Sequence, residues 1–306
     1  MIGYDIALLL LGLVFLISGG NLLVRSAVSF AEKFGVSPFL IGVTIVSFGT
    51  SVPELMVSIQ AATDQAADIA IGNVLGSNIA NIALVLGISA VIRPLKTSTN
   101  TYKLSWWFML VSSLLFFLFL LDNVITKMEG ILFVVGLLCF IIFSIKRNIP
   151  NEESVTSNIK TQAAILFFVL GAFGLYFGSE LFVESAISIA LFFDIPKFII
   201  GITIVALGTS LPELVTSIVA LIKGQNNISL GNLIGSNVFN VFAVLGITSL
   251  IQELNTKSIL LYLDFGVMLA VILIFGFQLF VRKKISRVAG FVLLFGYLSY
   301  ILFTVN

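Results

Sequence analysis

Gly49-Thr50-Ser51-Val52-Pro53-Glu54-Leu55 returns later in the chain as Gly208-Thr209-Ser210-Leu211-Pro212-Glu213-Leu214. A second motif does the same: Gly72-Asn73-Val74-Leu75-Gly76-Ser77-Asn78 returns as Gly231-Asn232-Leu233-Ile234-Gly235-Ser236-Asn237. Both recur at one offset, since 208 − 49 and 231 − 72 each give 159. The chain is therefore a duplicated unit. All four motif copies lie inside long apolar runs, so the runs decide what has been duplicated.

Those runs fall at about 5–30, 37–63, 69–92, 104–121, 125–145, 161–190, 197–222, 228–251, 258–281 and 287–305. A helix crosses the hydrocarbon layer with about 20 largely apolar residues, and these runs are of that order. Composition agrees, because 59% of the 306 residues are apolar and only 10% charged, against roughly 45–50% and about 25% in soluble domains. The expected fold is all-α and integral to a membrane, with ten transmembrane helices. The polar interval Lys146–Lys160, with Pro150, Glu152 and Glu153, reads as a linker. It separates a first five-helix repeat (1–145) from a second (161–306), with 146–160 between them.

An odd number of spans per unit makes the second copy enter the membrane from the opposite side, the inverted-repeat plan of many secondary transporters. Loop charges give an orientation. With the amino terminus outside, inner loops receive Lys33, Arg93, Lys96, Lys103, Lys146, Arg147, Lys160, Lys223, Arg282, Lys283, Lys284 and Arg287, whereas outer loops receive Lys127, Lys197 and Lys257. Twelve against three follows the positive-inside rule, with both termini outside the cell membrane and the linker cytoplasmic. The first 30 residues open on no basic leader, so the first run is expected to be a permanent helix. Cys139 is the lone cysteine, which excludes an internal disulfide, and its apolar setting predicts a packing role. With a net charge of +1 and no basic run suited to nucleic acid, nothing points to a polyanionic partner. With no histidine, and no nucleophile near a plausible base, enzyme chemistry is disfavoured.

Glu54 and Glu213 fall deep inside the second and seventh runs. An acidic residue near the bilayer centre costs roughly 2.5–3.5 kcal/mol on insertion scales, and such residues face a cavity or a partner. Pro53 and Pro212 cannot donate to the carbonyls of Gly49 and Gly208, so each helix is expected to break beside its glutamate. Thr50 and Glu54, like Thr209 and Glu213, are four apart and share a helical face. In the third and eighth runs Ser77 pairs in the same way with Asn81, and Ser236 with Asn240. Carboxylates, hydroxyls, amides and freed carbonyls together suit a hard cation such as calcium, which takes about 6–8 oxygen ligands. The alternative is a pair of hydrogen-bonded glutamates that merely hold helices together. Gly72, Gly76, Gly231 and Gly235 read as close-approach positions between helices. Asn73, Asn78, Asn232 and Asn237 stand equally as ligands or as interhelical hydrogen bonders.

These residues also carry a family likeness. The segments with Gly49–Glu54 and Gly72–Asn81, and their repeats from Gly208 and Gly231, resemble the alpha repeats of the cation/calcium exchanger superfamily, specifically its prokaryotic-type sodium/calcium exchangers. The resemblance implies that Glu54, Glu213, Thr50, Thr209, Ser51, Ser210, Ser77, Ser236, Asn81 and Asn240 line the ion sites, on broken helices 2, 3, 7 and 8. It also implies that the carbonyls of Thr50 and Thr209 serve calcium and those of Ser47 and Ala206 serve sodium. Potassium-dependent relatives, and some sodium/calcium exchangers, have aspartate where Asn240 stands, which argues against potassium cotransport. Proton-coupled relatives tend to carry a glutamate-histidine pair that is absent here. A linker of about 15 residues leaves no room for the calcium-sensing domains of animal exchangers.

The implied activity is exchange of Ca2+ for Na+ by alternating access, the two ions competing for shared carboxylates. It becomes electrogenic if more than two sodium ions enter per calcium. No cofactor or protein partner is implied, only the ions and the bilayer. In that mechanism the first and sixth spans, with Gly19-Gly20 and Gly178-Ser179, move against the broken helices. Asn21 and Arg25, which correspond to Glu180 and Glu184, read as structural residues near the interfaces. Proton/calcium exchange and potassium-dependent exchange remain alternatives, and a passive cation channel a more distant one.

Overall fold

The computed structural model describes residues 2–97, 100–147, 158–195, 200, 206–256 and 261–305, and the statements below concern those residues. Most of the linker, the start of the seventh apolar run with Lys197, Lys257, and the side chain of Ala206 lie outside them. Among the described residues the chain is almost wholly helical. Its helices are α1 (Ile2–Phe34), α2 (Pro38–Thr50), α3 (Val52–Thr63), α4 (Ala67–Ile92), α5 (Asn100–Phe119), α6 (Lys127–Lys146), α7 (Thr161–Phe192), the short α8 (Ala206–Gly208), α9 (Leu211–Ile222), α10 (Asn226–Ile251), α11 (Leu261–Phe277, continued by a π-helical turn Gln278–Arg282) and α12 (Arg287–Val305).

Eight of these are long and apolar enough to cross a membrane, or nine when α2 and α3, bent by 42°, count as one broken span. In the second half, α9 is a shorter apolar helix and its preceding stretch is described only from Ala206. Local sequence explains the boundaries. Ser37 caps α2 by accepting from the Leu40 amide at 3.2 Å, with Pro38 in the first turn. Thr126 and Glu129 form a reciprocal capping box on α6, the Glu129 amide donating to Thr126 Oγ1 (3.3 Å) and the Thr126 amide to Glu129 Oε2 (2.7 Å).

Burial sorts the helices into a centre and a rim. The most apolar windows of α4 and α10 are 72% and 83% buried, whereas those of α6, α7 and α12 are each 22% buried. The first two thus form the interior, and the rim turns large apolar side chains such as Leu138, Phe173, Phe291 and Phe295 outward. In water that arrangement would be ruinous; against lipid tails it costs nothing. Cys139 belongs to the rim. It is exposed on α6, off the buried stripe of Gly130, Phe133, Phe140 and Ser144, so the packing role expected of it does not hold.

Small residues set how closely helices approach. A methyl group on Gly12 would sit 2.7 Å from the Phe182 amide nitrogen, and one on Gly171 would sit 2.9 Å from the Gly19 carbonyl, so α1 and α7 touch backbone to backbone. Ser26 Oγ adds a bond to the Ala164 carbonyl at 2.8 Å. Gly231 and Gly235 play the close-approach part expected of them, bringing α10 onto α2. No described residue crowds Gly72 or Gly76; the segment equivalent to 39–47 in the second half, 198–206, lies almost wholly outside the described residues.

Four two-residue strands add something that hydropathy does not reveal. β1 (Leu95–Lys96) pairs antiparallel with β4 (Lys284–Ile285), and β2 (Val124–Ile125) with β3 (Leu254–Asn255). Leu95, Ile125, Leu254 and Ile285 are fully buried at these clips. At the 159 offset β1 corresponds to β3, and β2 to β4 within one residue. Each strand of one half thus pairs with the non-equivalent strand of the other.

The α10–α2 contact yields a test. A Cβ on Gly235 would lie 2.1 Å from Ser47 Oγ and 2.6 Å from the Val43 carbonyl, whereas one on Gly266 meets nothing within 4 Å. Gly235→Ala is expected to lower stability by about 1–3 kcal/mol through overpacking. Gly266→Ala should be neutral or slightly stabilising, since alanine is the better helix former by up to about 1 kcal/mol. Thermal unfolding of the two variants in detergent checks the difference.

Candidate functional site

The two breaks have nearly the same backbone geometry. Ser51 (φ −87°, ψ 4°) ends α2, and Ser210 (φ −84°, ψ 0°) precedes α9. Proline then occupies the second position of the new helix, where its missing amide hydrogen leaves no bond unmade. Glu54 and Glu213 consequently fall in the first turn, beside unsatisfied amides and the positive end of the helix dipole. A carboxylate at that depth needs such help, because both side chains are fully buried.

Around them the two halves interlock. Thr50 Oγ1 lies 3.0 Å from Asn232 Oδ1 and 3.2 Å from Ser236 Oγ, and Ser51 Oγ donates to Glu213 Oε1 at 3.4 Å. Asn240 Nδ2 donates to Ser77 Oγ at 3.0 Å, and Ser47 Oγ lies 3.0 Å from the Asn232 carbonyl. Every one of these bonds joins one half to the other. Asn73 and Asn232 resolve as braces between broken and central helices. Asn73 Nδ2 donates to the Glu54 carbonyl (3.1 Å) and to Ser58 Oγ (3.0 Å), and Asn232 Nδ2 donates to the equivalent Ser217 Oγ (3.3 Å). Asn78 similarly donates to the Asn237 carbonyl at 3.3 Å.

Several buried polar atoms here have no protein partner: both carboxylate oxygens of Glu54, Glu213 Oε2, Asn81 Oδ1, Asn240 Oδ1 and Ser210 Oγ. Leaving such groups unpaired in a dry interior costs free energy, and all of these are oxygens able to face a cation. Asn81 and Asn240 also begin π-helical turns, Asn81–Leu86 and Asn240–Leu245. A π turn widens the helix locally and is a frequent mark of functional sites. Among the described residues no three His, Cys, Asp or Glu side chains gather, so the available ligand chemistry is two carboxylates plus neutral oxygens. That set fits a hard, oxygen-seeking cation carried as cargo.

Equivalent residues do not have equivalent surroundings. Thr50 is fully buried, but Thr209 is half-buried and lines an open cleft of about 440 Å³ with Pro53, Gln60, Tyr176, Glu180 and Gly208. Glu180, which reads from sequence as structural, is exposed there and accepts from Tyr176 Oη at 2.8 Å. At the corresponding place in the other half α1 lies against α9. A Cβ on Gly20 would be 3.3 Å from Val215 Cγ1, and Lys223 Nζ donates to Asn21 Oδ1. A cleft thus separates α3 from α7, whereas α9 touches α1 directly. Ten of the twelve residues predicted from sequence are buried: Ser47, Thr50, Ser51, Glu54, Ser77, Asn81, Ser210, Glu213, Ser236 and Asn240. Hydrogen bonds join Ser47 and Thr50 through Asn232, Thr50 to Ser236, Ser51 to Glu213, and Ser77 to Asn240. Thr209 faces the cleft, and Ala206 begins the described part of its segment.

Comparison with known proteins gives a consistent answer. A family model described as "Sodium/calcium exchanger protein" matches residues 4–146 and 163–306. The chain is 37% identical to the "Putative antiporter CaxA" of Alkalimonas amylolytica over 95% of each chain. It is 35% identical to the "Sodium/calcium exchanger MaX1" of Methanosarcina acetivorans over 98% of each. A solved structure of the sodium-calcium exchanger NCX_Mj, soaked with Na+ and Sr2+, superposes with a TM-score of 0.85 at 31% identity, covering 99% of both chains. Both halves of the chain, each with its broken helix and its buried glutamate, fall within these matches, and the chain belongs to the sodium/calcium exchanger family.

Proposed function

We propose that the chain exchanges Ca2+ for Na+ across the membrane by alternating access, with Glu54 and Glu213 as the charged ligands at the centre of the ion site. The observation that carries this reading is the set of buried, unpartnered oxygens on Glu54, Glu213, Asn81, Asn240 and Ser210. Thr50, Thr209, Ser51, Ser77 and Ser236 complete the first layer of oxygens, and the backbone carbonyls of Ser47, Thr50, Ala206 and Thr209 contribute further ligands. Two carboxylates neutralise one Ca2+. Sodium in a number greater than two would leave the loaded site positive, making the exchange electrogenic.

Ten spans in two inverted five-helix repeats (1–145 and 161–306) suit this activity, because exchanging the conformations of the two halves exchanges the open side. The open cleft at Thr209 beside the closed contact at Asn21 and Lys223 supports that reading. The backbone contact between α1 and α7 makes them one moving body, sliding over a frame built on α4 and α10. The bias of basic residues supports a cytoplasmic linker and both termini outside.

Three measurements test this reading. Glu54→Gln and Glu213→Gln keep shape and remove charge. Two unit charges about 4 Å apart interact by roughly 4 kcal/mol at an effective dielectric of 20, and calcium carries two, so each change should weaken calcium binding by at least about a thousandfold. Sodium-driven calcium uptake into vesicles should fall to background while the protein still inserts; near-normal uptake in either variant would overturn the site.

Orientation is read by cysteine labelling in a Cys139→Ser background. Asn123→Cys is expected to react with an impermeant maleimide on intact cells, and Arg147→Cys to react only after permeabilisation. The reverse pattern would invert the topology.

Asn240 addresses selectivity. Its amide donates to Ser77 Oγ, a bond aspartate cannot donate. Calcium flux in the native protein is expected in potassium-free vesicles, and Asn240→Asp should change the dependence on monovalent cations by adding a third carboxylate. Flux that requires potassium in the native protein would show that this reading of Asn240 is wrong.

A further inference from the structure

A second polar site lies away from the ion pathway, at the end of the protein where α6 hands over to the linker. α11 ends in the π-helical turn Gln278–Arg282, Lys283 follows in the left-handed region (φ 51°), and α12 starts at Arg287. A cleft of about 350 Å³ opens between these helices on the rim. Its mouth carries Arg282, Lys284 and Ser286, Gln278 sits about one turn deeper, and Ile274 and Val292 continue it toward the hydrocarbon. The charge is one-sided, because the stretch 278–287 holds four cations and no carboxylate.

The clip beside the cleft sharpens the point. Lys96 stands directly opposite Lys284 in the β1–β4 register. Like charges placed opposite each other on paired strands are destabilising. The equivalent clip at the other end of the molecule pairs Val124 with Asn255 at the corresponding position, so the fold closes a clip of this kind without lysines. The arginine is also left able to bind. Its guanidinium lies 5.9 Å from the Phe277 ring centroid, a contact that leaves the in-plane N–H fork free. Gln278 is half-buried in the cleft lining, with a side-chain amide that can both donate and accept hydrogen bonds.

We propose that this cleft binds an anionic glycerophospholipid of the leaflet on the linker side. The phosphate is held by Arg282 and Lys284, with Lys96 supplying further positive charge. Gln278 meets the polar glycerol region, and one acyl chain runs along Ile274 and Val292. A soluble phosphate would satisfy the cations but leave the apolar extension empty. The general excess of basic residues on this side explains their number, but not a cleft whose polar and apolar ends are stacked in the order of a lipid.

The test uses the purified full-length protein in a zwitterionic detergent, with the thermal unfolding midpoint followed as phosphatidylglycerol is titrated in. A saturable rise in the midpoint is expected. Near an anionic surface each basic residue contributes about a fivefold change in binding, so Arg282→Gln with Lys284→Gln should move half-saturation to roughly 25-fold more lipid. Both residues are exposed, and the lipid-free midpoint reports whether the double variant is folded. Lys146→Gln with Arg147→Gln removes the same charge from the same end but not from the cleft, and half-saturation should stay within about twofold of the native value. Equal losses in the two double variants would reduce the effect to diffuse surface charge and overturn the site. Glycerol 3-phosphate acting in the same concentration range as the lipid would assign the cations to a soluble phosphate and overturn the lipid. Phosphatidylcholine matching phosphatidylglycerol would remove the role of the anionic headgroup.

Discussion

Two fully buried carboxylates in the middle of a membrane protein must be offset by cations, hydrogen bonds or dipoles, and the rest of this architecture follows from that requirement. The glutamates sit at the starts of half-helices, where free amides face them. A half-helix exists only if the span is broken, and a broken span exposes backbone that lipid cannot satisfy. The break must therefore be wrapped in protein. Hence α4 and α10 are buried almost throughout, their amides and hydroxyls turned toward the breaks, while the outward-facing apolar surface is left to α6, α7 and α12.

Duplication alone would give two half-sites; interlocking makes one. Thr50 reaches Asn232 and Ser236, Ser51 reaches Glu213, and Asn240 reaches Ser77, so candidate ligands from each half are positioned by residues of the other. Near-identical motifs nonetheless rest in different surroundings, Thr50 sealed and Thr209 at an open cleft. Near-identical sequence thus adopts two different packings within one conformation: the symmetry resides in the chain, and the asymmetry in the fold.

Much of this was legible before any coordinates. Apolar runs located the helices because a helix must span a fixed thickness. Pro53 and Pro212 located the breaks because proline cannot donate a hydrogen bond. Spacing of four predicts a shared helical face for Ser77 with Asn81 and for Ser236 with Asn240, and all four are buried. What stayed hidden depends on contacts distant in sequence or on small shifts of backbone. The π turns at Asn81 and Asn240 have no residue signature of their own. The two-residue strands are too short for any periodicity. Asn73 and Asn232 read equally as ligands or braces until Ser58 and Ser217 were found one helix away. The exposure of Cys139 is a matter of angular position on α6, which an almost uniformly apolar helix does not encode.

The interleaved clips bear on how the protein can be made. Leu95 pairs with Ile285, and 285 − 95 is 190 residues of chain. At about 5–20 residues per second, roughly 10–40 s of synthesis separate the two. Throughout that interval the first half is in the membrane with β1 unpaired, and until residues 232–236 are made Thr50 lacks Asn232 and Ser236 as well. Glu54 then waits in a half-built environment. Insertion and maturation are therefore separate events for this chain: the ribosome delivers helices one by one, and the interlocked centre forms only when the last quarter of the polypeptide closes the frame around what was inserted first.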